Sequence, residues 1–324
     1  MDKFYADSAT GGHRQHRAPA IPLLHVGKGT RYGALTLFPV WAEGGAASGL
    51  KWDLDGLDVG EQCDAGQVDS LVAANPGRKP VVLVEGDLLE GGWQTRMVAR
   101  STIIGPGEAA NIAALCVEQR RWETNADRGH RTAGRRVSAP LRAARDRAYR
   151  EGTDPQHAIW HGIASRYETI APTVTSSFAD HLDRVAGERR RRTGRPLPAK
   201  PLAGQRGVII GIGGRVLSME LLATPAALTT RWNGILEAAR FDAERAPEVA
   251  TPGQQARDFA ARVEGAHITV DRECRSFVVL ASDQGSLDLS GIALPDPERS
   301  IDGEFWRIVH LAARNQGHPL LAGV

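Results

Sequence analysis

The tightest restriction on how this chain folds comes from residues 94–118, where two alternating runs flank Gly105, Pro106, Gly107 and Glu108. Strand side chains point alternately to opposite faces, so a slip of one residue turns a whole hydrophobic set towards water. Along Gln94 to Ile104, Gln94, Arg96, Val98, Arg100 and Thr102 share one face. Thr95, Met97, Ala99, Ser101 and Ile103 share the other, more apolar face. On the return run, Ala113, Leu115 and Val117 lie together, as do Ile112, Ala114, Cys116 and Glu118. A three-residue loop at Gly105–Gly107 pairs Met97 with Leu115 and Ala99 with Ala113. It also sets Gln94 opposite Glu118 and Arg96 opposite Cys116. A four-residue loop reverses the parity and sends Glu118 to the apolar side, which is costly for an unpaired carboxylate. The expectation is a hairpin that collects Gln94, Arg96 and Glu118 on one sheet face.

Such a patch has two physical readings, and the residues alone leave both open. Arg96 and Glu118 can form an ion pair that fixes the register, with Gln94 bonded to backbone. Alternatively the patch is a polar site: arginine forks a phosphate or carboxylate, while Gln94 and Glu118 bond hydroxyls or an amide. Trp93 or Trp122 then supplies a flat wall.

The rest of the chain divides by pattern into a polar leader (1–30), a β-rich part (31–122), a helical middle segment with a basic linker (123–204) and a C-terminal α+β part (205–324). Residues 31–324 read as one integrated domain. "ALTLFPVW" and "PVVLV" are strand-like apolar runs, and "GVIIGIGGRVLSMELL" is two strands joined at Gly213–Gly214. Asp154–Pro155 and Thr224–Pro225 each place a capping side chain before a first-turn proline, so each opens a helix. The second carries Leu228, Trp232, Ile235, Leu236 and Ala239 on one stripe. A further helix is expected over "TPGQQARDFAARVEGA", and strands at "HITVD", "SFVVLAS" and "FWRIVHLAA". The predicted class is α+β, a mostly antiparallel sheet or sandwich core with a helical middle and a helix pair in the C-terminal half.

Composition removes several function classes. A net charge of +2 on 324 residues gives no global field of the kind a nucleic-acid binder shows. No apolar run reaches the roughly 18–20 residues of a membrane span, and the N-terminus lacks the apolar core of a secretory signal. Cys63, Cys116 and Cys274 form neither a disulfide framework nor a zinc spacing, so a cytoplasmic protein is expected. The positive charge is almost all arginine, with lysine only at positions 3, 28, 51, 79 and 200. The Arg189–Arg192 run, without interleaved aromatics, reads as a solvated helix end and linker.

Other motifs are weaker. "GIGG" lacks the third glycine and the following helix of a dinucleotide fingerprint. "DLDGLDVGE" brings its glycine too early for a calcium loop and reads as a turn. His157 and His161 lie one helical turn apart but lack a third ligand, so no metal is expected. Cys116, between Leu115 and Val117, reads as a small buried apolar residue. No cofactor is implied.

Taken together, "ALTLFPVW", "VGEQCDAGQVDSLVAANPGRKPVVLVEGDLLEGGWQTR", "ALCVEQRRW", "HAIWHGI" and "GVIIGIGGRVLSMELLATPAALTTRWNGIL" resemble the ARPP domain family. Its name stands for association with ADP-ribosylglycohydrolases and rhodanese-phosphatases. The resemblance runs from about residue 35 to 313, outside a variable helical middle. Positions matching the family pattern are Gly86, Gly91, Gln94, Arg96, Cys116, Glu118, Gln119 and Trp122, with Gln156, Trp160 and Glu220 further on. Thr95 departs from an expected asparagine, and Trp93 from a small or basic residue. The resemblance implies a role in NAD or ADP-ribose metabolism. On it, Arg96 and Arg121 neutralise phosphate, Gln94 and Glu118 bond ribose hydroxyls or an amide, and Trp122 walls the site. The partner expected is a small nucleotide or ADP-ribose derivative. A hydrolase with Glu118 as general base is the first alternative. A non-catalytic assembly module, with the polar face between copies of the chain, is the second.

Overall fold

The structure, a computed structural model, describes residues 19–44, 46–61, 69–121, 129–132, 134–168, 172–189, 196–296 and 306–321. The leader up to residue 18, Cys63, Trp122 and residues 190–192 lie outside these ranges. In chain order the first strands are β1 (Leu24–Val26), β2 (Thr30–Tyr32), β3 (Leu35–Ala42), β4 (Asp58–Gly60), β5 (Ser70–Ala74) and β6 (Val81–Leu83). Next come β7 (Leu88–Gly91), β8 (Arg96–Val98), β9 (Thr102–Ile104), β10 (Ala109–Cys116) and β11 (His130–Arg131). Helices α1 (Ala139–Glu151), α2 (Pro155–Ile163) and α3 (Phe178–Arg189) follow, with a π-helical turn, Ala164–Glu168, extending α2. The hairpin β12 (Gly207–Ile212) and β13 (Arg215–Leu222) leads into α4 (Pro225–Asp242) and α5 (Gly253–Glu264). The chain closes with β14 (Thr269–Glu273), β15 (Val278–Gln284), β16 (Leu287–Pro295) and β17 (Trp306–Asn315).

Nine strands make one antiparallel sheet in the order β1-β3-β12-β13-β17-β16-β15-β14, with β2 paired to β3. Period-two alternation gives it two apolar faces. Val208, Ile210 and Ile212 pack towards α4, where Leu228, Trp232, Ile235, Leu236 and Ala239 are all buried. Phe38, Ile209, Met219 and Leu311 pack on the other face against Phe259 and Val263 of α5. Each large side chain so buried contributes roughly 1.5–3 kcal/mol. The cap residues act as their types require: Asp154 accepts from the Gln156 amide at 2.8 Å, and Thr224 from the Ala227 amide at 3.0 Å. The α+β class with large antiparallel sheets is therefore the observed architecture.

The N-terminal part forms a smaller sheet, β11-β7-β8-β10-β5-β4, beside the two-stranded ribbon β6-β9. Here the expected hairpin is correct in register and wrong in continuity. Met97 pairs with Leu115 and Arg96 with Cys116, the parity of the three-residue loop. The run from Gln94 to Ile104 is not one strand, however. It leaves the sheet at Ala99–Ser101, and β9 pairs with β6 rather than with β10. Arg100 therefore does not share the Arg96 face; its guanidinium meets Asp271 at 3.1 Å and lies over the Tyr149 ring. One face of the smaller sheet packs against α1, α2 and α3 through Met97, Leu115, Val117, Leu141, Ile159 and Phe178.

Buried ions join the small sheet to the large one. Glu85 bonds Arg145 at 2.6 Å, Arg314 at 2.9 Å and the Ser290 hydroxyl at 2.7 Å. Glu220, in mid-strand rather than at a strand end, meets Arg142 at 2.7 Å, His310 at 2.8 Å and Arg136 at 3.2 Å. Asp87 meets Arg231 of α4 at 3.0 Å. Opposing guanidiniums outweigh burial and hold the Glu85 and Glu220 carboxyls well below the usual carboxylate range. Much of the arginine excess is spent on these carboxylate forks.

Candidate functional site

The register brings Gln94, Arg96 and Glu118 together at the end of the small sheet, all three buried. The Arg96 guanidinium donates to the Gln94 side-chain oxygen, and the Gln94 amide nitrogen donates to the Glu118 carbonyl at 3.2 Å. The Arg96–Glu118 ion pair, one of the two readings of this patch, does not form. Arg96 Nη2 faces Glu61 Oε1 at 3.8 Å, and Glu118 Oε2 takes Arg121 at 2.8 Å. The Arg121 contact is local in the chain, three residues on from Glu118, and it occupies the carboxylate in place of the cross-strand arginine.

Glu118 also accepts from the Thr95 amide at 3.0 Å and the Thr175 hydroxyl at 2.8 Å. Burial opposes its charge, but Arg121, the Thr95 amide and Thr175 together pull its pKa below the ordinary value. Backbone bonds run beside it: Arg120 N–H to Thr175 O at 2.9 Å and Phe178 N–H to Val117 O at 2.9 Å. The strand end thus templates the first turn of α3. Gln156 of α2 does the same one residue earlier, bonding both the amide (2.8 Å) and the carbonyl (2.9 Å) of Cys116. Cys116 is fully buried, and burial pushes its thiol up, as suits a packing residue.

Arg121 has a second task. It donates to Gly92 O at 2.9 Å and Gly91 O at 3.3 Å, gripping the turn after β7. Gly92 is at φ +55°, and a Cβ there would stand 2.3 Å from the His130 ring. Only glycine lets the imidazole lie on this turn. His130 Nε2 then donates to Gln94 O at 3.3 Å.

Two residues absent from the sequence expectation complete the group: Glu61, at the end of β4, and His130. Glu61 Oε1 is 3.8 Å from both Arg96 Nη2 and His130 Nε2, with the side chains of all three fully buried. No described side chain donates a hydrogen bond to either Glu61 oxygen. Burial raises the Glu61 pKa, with Arg96 and the Trp93 backbone amide opposing it. Neither residue stands in an alternating run with Gln94; β4 and β11 lie at opposite edges of the small sheet, and only the folded sheet brings them near. Trp93 is buried beside the group, while Trp122 lies outside the described residues.

His157 and His161 are exposed on α2 with rings 6.5 Å apart. Among the described residues no three or more His, Cys, Asp or Glu side chains gather as a metal site. No helix of the described residues is long and apolar enough to cross a membrane.

No curated protein and no solved structure matches the chain. The model of one family, the ARG and Rhodanese-Phosphatase-superfamily-associated Protein domain, matches residues 23–313. That span takes in both sheets, apart from the last two residues of β17, and the five α-helices of the described residues, and it includes Glu61, Gln94, Arg96, Glu118 and His130. The chain belongs to the ARPP-1 family.

Proposed function

We propose that the protein binds a nucleotide-type ligand related to ADP-ribose or NAD, read by Gln94, Arg96, Glu61 and His130. The observation that carries this reading is the Glu61 carboxylate. It is buried, 3.8 Å from a guanidinium and an imidazole, and accepts no hydrogen bond from a described side chain. A separation of 3.8 Å exceeds a direct hydrogen bond and suits a polar atom placed between the groups. A ribose hydroxyl donates to Glu61 there, while a phosphate oxygen accepts from Arg96. The family name, which pairs this domain with ARG proteins, supports the same ligand class. In this reading Glu118 and Arg121 brace the site: Glu118 anchors Thr175, and Arg121 holds the Gly91–Gly92 turn under His130.

Calorimetry with ADP-ribose and with NAD tests the proposal. Saturable heat is expected with at least one of them, and Glu61→Gln should weaken it about tenfold or more, the worth of one charge-assisted hydrogen bond. Wild-type protein giving no heat at millimolar ligand would sink the reading. Arg96→Lys, which keeps the charge but loses the fork, is expected to weaken binding as well.

A hydrolase is the second reading, and the raised pKa of Glu61 favours it. A general acid or base works best with a pKa near the working pH, which suits Glu61 better than Glu118, whose pKa is lowered. Product analysis after incubation with ADP-ribose or NAD separates turnover from binding alone.

A further inference from the structure

A cavity of ≈390 Å³ opens between the π-helical turn, α3 and the C-terminal end of α4, and shares no residue with the Gln94 cluster. We propose that it binds a small aromatic anion: a planar ring against Tyr167 and Phe241, with a phosphate held by Arg166 and Arg245. Its volume lies within the range of roughly 300–1,000 Å³ typical of small-molecule sites. Its walls carry what such a ligand needs. Tyr167 and Phe241 sit with ring centroids 4.8 Å apart, and Arg166, Arg184 and Arg245 line the same space.

The π-helical turn aims these side chains in different directions, and such turns recur at functional sites. Tyr167 bonds the Ser138 hydroxyl at 2.8 Å. Glu168, next along, bonds His181 Nε2 at 2.9 Å. Arg184 donates to His181 Nδ1 at 2.5 Å, so the imidazole accepts on one nitrogen, donates on the other and is neutral. Burial, with Arg184 beside it, lowers the His181 pKa and favours that state. Arg166 and Arg245 differ from Arg184: neither has a hydrogen bond or ion pair to a described residue, and Arg166 Nε is buried without an acceptor. Two guanidiniums that form no hydrogen bond or close ion pair with a described residue, Arg166 having only the partly neutralised Asp242 near it, match an anion bearing a ring better than a cation or a neutral apolar ligand.

Two carboxylates face the same space, Asp242 and Glu244. Asp242 accepts the Ala139 amide at 3.1 Å at the start of α1, with Ser138, Arg142 and Arg166 also near it. Burial pushes its pKa up to about 7, against the Ala139 hydrogen bond and the two arginines. Near neutral pH the carboxyl is thus partly protonated, and the three guanidiniums leave the cavity net positive. Lowering the pH through about 7 neutralises Asp242 further and should strengthen anion binding.

Adenosine monophosphate is the probe, with adenosine and inorganic phosphate as its two halves, each titrated by calorimetry into the full chain. The expected result is saturable binding of the monophosphate, tighter than either half alone. Arg166→Gln should weaken it about tenfold, the worth of one charge-assisted hydrogen bond, at unchanged thermal midpoint. If Arg166→Gln folds poorly, the exposed Arg245→Gln gives the same readout. Between about pH 8 and about pH 6.5, where the phosphate keeps most of its second charge, wild-type affinity should rise and that of Asp242→Asn should stay level. Equal affinity for the monophosphate and inorganic phosphate would overturn the proposal, because a bare basic surface would then suffice. So would unchanged monophosphate binding in both folded arginine variants.

Discussion

Glu118 is ionised because of its neighbours, and that makes its contribution to stability depend on pH. Against the effect of burial, Arg121, the Thr95 amide and Thr175 hold its folded-state pKa below the ordinary value of 4.5. A carboxyl whose pKa is depressed on folding stabilises the protein above its unfolded pKa, and the benefit is lost as pH falls through the folded value. Glu118→Gln should therefore lower the urea midpoint at neutral pH, and its gap from wild type should narrow between about pH 5 and about pH 3. Tryptophan fluorescence during denaturation measures this; a gap that stays constant would show that the carboxylate charge plays no part. Thr175→Val removes a single donor from the same carboxylate and should cost about 1 kcal/mol at neutral pH.

At the scale of elements, what the sequence could reveal depended on whether an element buries apolar or charged side chains. α4 was readable from its stripe and its Thr224 cap, and β12–β13 from two apolar runs around paired glycines. α1 was legible only as part of a helical middle segment, without its own bounds or inner face, because the residues it buries include Arg142 and Arg145, which hydrophobic periodicity counts as surface. The register of β8 on β10 followed from alternation, since one wrong step would expose Met97 and Leu115. The departure of β9 did not, because its partner β6 lies about 20 residues back and pairs through backbone groups every residue carries. Gln94, Arg96 and Glu118 could be grouped for the same reason of alternation, whereas Glu61 and His130 join them only through tertiary folding. α4 also makes a close approach that no pattern reports: a Cβ on Gly234 would stand 2.1 Å from the Gly134 carbonyl oxygen. Gly234→Ala must push helix and backbone apart, at a cost of about 1–3 kcal/mol. A thermal midpoint equal to wild type would contradict that packing.

In the whole molecule, the ions around Glu85 bind the small sheet, α1 and the large sheet into one buried network. Removing one member strands the others, so Glu85→Ala should cost about 3–5 kcal/mol. Because the network is buried, added salt should change that cost little, unlike a surface pair. A urea series with and without salt measures both. The network also fixes α1, whose first turn carries Ser138 and Ala139 to the Asp242 cavity. The Gln94 cluster is held from the other side, by the strand end that starts α3 and by the turn under His130. The imidazole of His130 therefore reports on the proposed ligand site. Its ring ¹H and ¹⁵N resonances, followed by NMR while ADP-ribose or NAD is added, should shift saturably over the same concentrations that release heat. Binding heat accompanied by an unmoved His130 ring would place the ligand elsewhere and contradict the assignment of Glu61, Gln94, Arg96 and His130 as its site.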